Sequence, residues 1–517
     1  VSEPVPNQYL TLSKNENQAR ELARYVLDFL AGKYEPIDDL VKERLNLFHA
    51  DSVACAIAAL AIGANAPLVL RREAELYSPR KGIRGAFCFG STTPVPLEKA
   101  VAANSSAARE LDSNGTNFGY NPVTGQTRGE FGHNDFYPVV IAAAQQQNLA
   151  GDAVLRAMLC LDEVRGRLAE AFGLKDHKID HVVHGAIASA AVCCAMLGGN
   201  VDHIESAIGM TVAHYIPFRA IRAGHQLSDS KGASAALSAE VAVLSAQRAI
   251  DGFIGPADIF RNPQAIFCLF EPPNSRDGKT ESASFDIHLA TGGQDFAIMG
   301  MHVKLGLYEH QSAGAIQGLI QLLQQHPELL SGGTDDADAI EKIAISIYEP
   351  AFGIIGDPAK RDPKTRQSAD HSMVYIIATL LRKALEQQEA GWSELMLMPK
   401  DYDEAALHHS VTRALMQRIE FRHGGDEYDA KYPDGIPTSL SIQHGSLGVL
   451  ESGLVMYPLG HSRHDGTEFD EVFMSKFNRL TSLGNCEPAA LFETLMNIEQ
   501  LSSEQIVQLY SFQIADE

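Results

Sequence analysis

The sequence predicts a mainly α protein: a large all-helical domain into which a smaller α+β lid domain is inserted. Three observations carry that expectation. Apolar residues recur at three- and four-residue steps from Leu22 to Ile250 and again from Met474 onward. Alternating, β-type patterns occur only between these two stretches. A chain of 517 residues also exceeds what one hydrophobic core usually organises.

Each element follows from its local pattern. Leu22, Tyr25, Val26, Phe29 and Leu30 share one helical face. Further helices are expected at Val41–Ile62, Leu97–Leu111, Val139–Gln147, Asp152–Phe172, Gly185–Leu197, His203–His214 and Gly232–Ile250, the last ended by Asp251–Gly252. Ala54–Ala61 and Ala186–Ala195 are rich in small residues, which let helix axes approach closely. Ser52–Leu70 has no charged residue and nearly reaches the roughly 20 residues that a bilayer needs. Gly63, Asn65 and Pro67 interrupt it, so a buried core helix ending near Gly63 is expected and no membrane span. Val1–Asn17 is polar, with no charged-then-apolar signal pattern.

After Thr291 the texture changes. Lys342–Tyr348, Thr438–Gln443 and Gly453–Tyr457 read as strands, with helices at Ser312–Gln325 and His371–Leu385. Met474–Leu483 and Glu487–Gln500 return to helical periodicity. The expected division is a discontinuous helical domain, 1–297 with 463–517, and a lid of residues 298–462.

The net charge of -23 argues against nucleic acid as a partner, because such binding rests on dense Lys and Arg. An anionic small molecule would need a locally positive pocket effective over a Debye length, roughly 8 Å. Cys55, Cys88, Cys160, Cys193, Cys194, Cys268 and Cys486 form no CxxC or other tight ligand group. The pattern suits a reducing compartment and offers no iron–sulfur cradle. Phosphate-loop, dinucleotide-loop and HExxH motifs are missing, so neither cofactor nor metal is expected.

The remaining chemistry lies in polar residues at unusual places. The Gly-rich segment Leu111–Pro138 holds Asp112, Asn114, Thr116, His133, Asn134 and Asp135 between two helices. His181 and His184 precede an apolar helix, where an imidazole could cap the helix or act as acid or base. Lys231 sits at an expected helix start, a favourable place for an anion. Lys304 in His302–Gln311, and Arg366, His371, Ser372 and Tyr375 in Asp362–Tyr375, add cations and hydrogen-bonding groups suited to carboxylates.

Taken together and in order, these segments resemble the MmgE/PrpD family. Leu111–Thr116 (LDSNGT) with Gly132–His133, and Asp180–Ala191 (DHVVHGAIASAA), look like two of its polar segments. Ser230–Gly232 with Gly252–Pro256, Lys304–Gln311 and Ala369–Tyr375 resemble three more. Asp434–Ser439 followed by Ser452–His461 is most similar to the branch that dehydrates 2-methylcitrate. The resemblance implies a helical domain with an inserted α+β lid, a cleft between them, a homodimer, and no metal or organic cofactor. It implies that Asp112, His133, His181, Lys231 and Tyr375 are catalytic. Thr116, Lys304, Arg366, His371 and Ser372 are expected to bind a di- or tricarboxylate. A cytoplasmic setting is expected, or a mitochondrial matrix if a presequence was removed. Gly115 stands where the family usually has a second acidic residue, and Asn134 replaces its usual proline.

Overall fold

A computed structural model describes residues 8–34, 36–117, 120–123, 125–128, 132–222, 226–273, 282–355 and 358–514. Of the polar N-terminal stretch, residues 1–7 lie outside the described residues, as do 118, 119, 124 and 129–131 of the loop before His133.

Helices dominate the first half, as the apolar spacing requires: α1 (Gln18–Leu30), α2 (Asp39–Ala61), α3 (Asn65–Ala74), α4 (Leu97–Glu110), α5 (Tyr137–Gln147), α6 (Gly151–Ala171), α7 (Val182–Met196), α8 (Val201–His214) and α9 (Asp229–Ile250). Asp38 caps α2 by accepting from the Leu40 N–H, and the helix stops before Gly63, whose φ is +67°. Its Ala-rich second half is buried throughout. No single helix among the described residues is long and apolar enough to cross a membrane. Small residues set the closest approaches. A Cβ on Gly185 of α7 would sit 2.2 Å from the Phe136 ring, so the helix and the ring pack together only with glycine there.

Two strands far apart in sequence, β1 (Gln8–Leu12) and β2 (Ile287–Gly292), pair antiparallel with Leu12 opposite Ile287. Neither is evident from periodicity, because each is short and its partner lies at the other end of the helical region. A four-stranded sheet comes entirely from the later segment: β3 (Ile340–Ile347), β4 (Ile419–His423), β5 (Thr438–His444) and β6 (Gly448–Val455), in the order β4-β3-β5-β6. β4 runs parallel to β3 and the other neighbours are antiparallel. β6 begins earlier than its alternation suggests, because it is a largely exposed edge strand with weak patterning.

α10 (Ala313–Gln325) packs on β5 and β6, and α11 (Met373–Gln387) packs against α10. Ser372 caps α11 by accepting from the Tyr375 N–H, which moves the helix start past His371. α12 (Phe469–Leu483) and α13 (Pro488–Met496) return to pack on α2. The last expected helix breaks at Asn497, before a short 3-10 turn. Buried Lys476 of α12 donates to Asp51 of α2 and to the carbonyls of Ser113 and Lys304, both at 2.6 Å, which ties the C-terminal helix to the polar loop. All seven cysteines are free and six are buried.

Candidate active site

The polar loop begins where α4 ends, with Leu111 in extended conformation. Arg109 therefore stays on the helix while Asp112 turns back under it. The loop is hung on backbone pairs: Thr116 lies opposite His133, and Thr116 and His302 exchange N–H···O bonds of 2.9 and 2.7 Å. His181 occupies the N-cap position of α7 but its side chain makes no cap bond. Asp180 takes over part of that task by accepting from the Val182 N–H at 3.3 Å.

These segments enclose a cavity of about 400 Å³, a size suited to a small molecule. Asp112, Thr116, His133, His181 and His371 line it. The His133 and His181 ring centres are 5.3 Å apart. Burial, then Arg109, Lys304 and His181, hold the His133 imidazole well below its ordinary value. Burial likewise lowers His181, opposed by Asp180, whose Oδ1 lies 3.6 Å from its Nδ1. Both rings are thus held toward the neutral form. Arg109 Nη2 lies 3.3 Å from His133 Nε2. A guanidinium only donates, so Nε2 is the acceptor and Nδ1 carries the hydrogen. That buried Nδ1 has no hydrogen-bond partner among the described residues.

The cations facing the cavity are Arg109, Lys178, Arg219, Arg222 and Lys360. Lys178 holds a left-handed backbone (φ 61°), uncommon for lysine. Its carbonyl accepts from the Arg219 N–H at 2.9 Å, which brings the two cations together. Arg222 is fixed by Asp180 through Nε at 2.5 Å. Sequence reasoning missed all five, together with His310 and Glu309, which also line the cavity. The available signal was an arginine one turn before Asp112 on a buried helix.

The lysines expected to hold substrate are placed differently. Lys304 Nζ donates to Asp112 Oδ1 at 2.5 Å, and Lys231 Nζ to Asp370 Oδ1 at 3.4 Å; both lysines are fully buried and neither lines the cavity. Burial outweighs their carboxylates, lowering Lys304 and bringing Lys231 to about 8. Burial would raise the Asp112 carboxyl, but Lys304, His371 and Arg109 overcome it and hold it well below the usual range. His371 bridges Asp370 (2.6 Å) and Asp112 (3.2 Å) and is pushed down to about 4, first by burial and then by Lys231. Arg366 pairs with Glu110 and with Asp370 at 3.2 Å, behind the cavity.

Tyr375 and Ser372 also lie off the cavity. The buried Tyr375 hydroxyl donates to the Asp401 carbonyl at 2.6 Å, and the Ser372 hydroxyl donates to the Lys360 carbonyl. His184 donates from Nε2 to the Phe172 carbonyl at 3.0 Å. Burial lowers it to about 4.

Gly115 explains its own departure from the family pattern. A Cβ there would lie 2.3 Å from the Phe48 ring, so no acidic side chain fits. Asp51 instead accepts from the Gly115 N–H at 2.9 Å and from the Asn134 side chain at 3.2 Å. Among the described residues, Asp112, Asp370 and His371 bring potential metal-ligand atoms within 4.8 Å of one another. Lys304, Arg109, Lys231 and Arg366 already neutralise the two carboxylates, so this donor set is a poor match for a dication.

The cavity thus brings the His133–His181 pair together with five cationic side chains. The profile of the MmgE/PrpD N-terminal domain matches residues 20–276, and that of the C-terminal domain matches residues 308–495. The chain belongs to the MmgE/PrpD family. It is 24% identical over 315 residues to the 2-methylcitrate dehydratase of Escherichia coli (strain K12), covering 60% of this chain and 59% of that protein. It is 25% identical over 200 residues to the cis-aconitate decarboxylase-like protein oryM of Aspergillus oryzae (strain ATCC 42149 / RIB 40), covering 38% of this chain and 40% of that protein. The matched regions thus span less than two thirds of either relative.

Proposed function

We propose that this protein is a cofactor-independent hydro-lyase that removes water from a 2-hydroxy tricarboxylate, converting 2-methylcitrate to 2-methylaconitate. The observation that carries the reading is the His133–His181 pair in a cation-lined cavity. His181 is the base, because the imidazolium it forms faces Asp180. His133, held through its Nε2 by Arg109, is the acid that protonates the departing hydroxyl. Arg109 and Arg222 stabilise charge that develops on the carboxylate next to the carbanion centre. Lys178, Arg219 and Lys360 receive the other carboxylates.

Lys304 and Lys231 act one step back, keeping Asp112 and Asp370 ionised and fixed so that His371 and Arg109 hold their positions. In this reading residues 298–462 form the inserted lid, which supplies Glu309, His310, Lys360 and His371 to the cavity. Acid–base transfer contributes about 10²–10⁴-fold, and positioning with preorganised charge supplies the rest.

The test is incubation of purified, chelator-treated protein with 2-methylcitrate, citrate, cis-aconitate and iminodisuccinate, followed by product analysis. An unsaturated tricarboxylate formed from 2-methylcitrate is the expected result. Carbon dioxide release from cis-aconitate, or stereochemical scrambling of iminodisuccinate, without any dehydration would overturn it.

A further inference from the structure

We infer that Lys178 and Arg219 form a subsite at the rim of the cavity for the carboxylate that distinguishes a tricarboxylate from a dicarboxylate. This inference rests on the proposed function, in which the cavity receives carboxylates, and narrows it to one substrate class.

The five cations that face the cavity are not equivalent. Arg109 pairs with Asp112 at 2.8 Å, and Arg222 pairs with Asp180. Lys360 acts on the Glu309 carboxyl, opposing the rise that burial gives it. Among the described residues, neither Lys178 nor Arg219 forms an ion pair with a carboxylate. Arg219 influences Asp180, but less than Arg222 does. Two positive charges of the wall are therefore left for a ligand to answer.

The backbone sets these two charges side by side. Residues 178–180 and 217–219 run antiparallel around the Ile179–Phe218 bridge. The Asp180 N–H donates to the Pro217 carbonyl and the Arg219 N–H to the Lys178 carbonyl, both at 2.9 Å. Lys178 thus lies directly opposite Arg219, and like charges in that relation repel. An anion between them removes the repulsion and gains charge-assisted hydrogen bonds from both. Lys178 is exposed and Arg219 half-buried, whereas His133 and His181 are buried. The pair therefore belongs to the outer side of the cavity, suited to the carboxylate farthest from the reacting bonds.

Lys178 keeps this place against its own backbone preference. It ends the 3-10 turn Leu174–His177 in the left-handed region, with φ 61°, a position that glycine or asparagine fills most easily. What lysine adds there over glycine is a charged side chain at the cavity. In the proposed function Arg109 with Arg222 holds one carboxylate and Lys360 a second. A dicarboxylate then leaves the rim pair unanswered, and a third carboxylate completes it.

The test is calorimetric titration with tricarballylate and glutarate, which differ by one carboxylate and have no hydroxyl to eliminate. Wild type is expected to bind tricarballylate at least about tenfold more tightly than glutarate. Lys178→Gly keeps the left-handed turn, so its thermal midpoint should stay at or above that of wild type. Its preference for tricarballylate should fall about fivefold, with glutarate affinity changed less than about twofold. Adding Arg219→Gln should bring the two affinities within about twofold of each other, whereas Lys178→Arg should retain the wild-type preference. A preference that survives in both variants, or an equal weakening of the two acids, overturns the subsite. So does a wild type that binds both acids alike or binds neither. Failure of wild type to dehydrate 2-methylcitrate defeats the functional reading alone, because the preference is measured without turnover. If the glycine variant does not fold, Arg219→Gln by itself carries the test, with the same fall expected.

Discussion

Two buried ionic clusters in this protein are built in opposite ways. On α6, Asp162, Glu163, Arg165, Arg167 and Glu170 pair within one helix: Arg165 with Asp162 at 2.6 Å, and Arg167 with Glu163 and Glu170 at 2.8 and 3.0 Å. Much of the remaining hydrogen-bonding capacity holds backbone, while Asp162 also accepts from the Tyr137 hydroxyl at 2.5 Å. Glu163 accepts from the Ala290 and Ala297 N–H groups at 2.6 and 2.7 Å, and Arg165 donates to the His133 carbonyl at 2.5 Å. In the cleft, Arg109 and Asp112 come from one segment and Asp370 and His371 from another. Lys231 and Lys304 arrive from two further segments. The first cluster is neutralised mostly by its own helix and serves as architecture. The second closes only when the fold is complete and stays open to a cavity on one side, where a ligand's charge changes its balance.

The largest effect that separates architecture from chemistry should come from the histidines. His181→Ala is expected to lower kcat/KM for 2-methylcitrate by at least about 10²–10⁴-fold, with an unchanged thermal midpoint. His184→Ala, which removes a bond to the Phe172 carbonyl, should instead lower the midpoint and spare kcat. Steady-state kinetics and thermal melts on both variants decide this, and the reverse pattern would exchange the two roles.

Next come the ion clusters themselves. Asp112→Ala leaves Lys304 without its carboxylate and Arg109 with only Asp135 at 3.7 Å, and should cost about 3–5 kcal/mol in urea unfolding as well as activity. Arg167→Leu should cost a similar amount of stability but keep kcat per folded molecule. Loss of turnover by a well-folded Arg167→Leu protein would break the comparison.

Acid sensitivity should follow the buried histidines. Burial lowers His49 to about 3 and His184 to about 4, against about 6.5 in an unfolded chain. Below pH 6.5 the unfolded chain binds protons that the folded chain does not, so stability falls as pH drops toward the folded values. At pH 4 each such group costs about 3 kcal/mol. Burial raises Asp135 to about 6 and Glu170 to about 7. These acids act in the opposite sense, favouring the folded state as pH falls. His184→Gln should therefore lose about 3 kcal/mol less than the parent between pH 7 and pH 4, measured by urea unfolding at each pH.

Smaller effects test local packing. Gly115→Asp forces a Cβ into the Phe48 ring and should cost about 1–3 kcal/mol, part of which Phe48→Ala restores in the double variant. Tyr375→Phe removes the hydroxyl's bond to the Asp401 carbonyl. It should cost about 1 kcal/mol with kinetics unchanged, and a fall in kcat would return Tyr375 to the catalytic set.

The sequence by itself determined the long helices of the first half apart from α3, three of the four strands in the mixed sheet, and the loop that carries Asp112 and His133. These are local properties, since a 3.6- or 2-residue period is visible within one segment. Tertiary structure alone decided the β1–β2 pairing and the strand β4, because short half-buried strands take their meaning from a distant partner. It also decided which cations face the cavity. Lys304 meets a carboxylate 192 positions away and Lys231 one 139 positions away, so both turn from the cavity into the floor. Arg109, Arg219 and Arg222 face it instead. Charges pair by distance in space, and chain spacing does not reveal that distance until the segments are packed together.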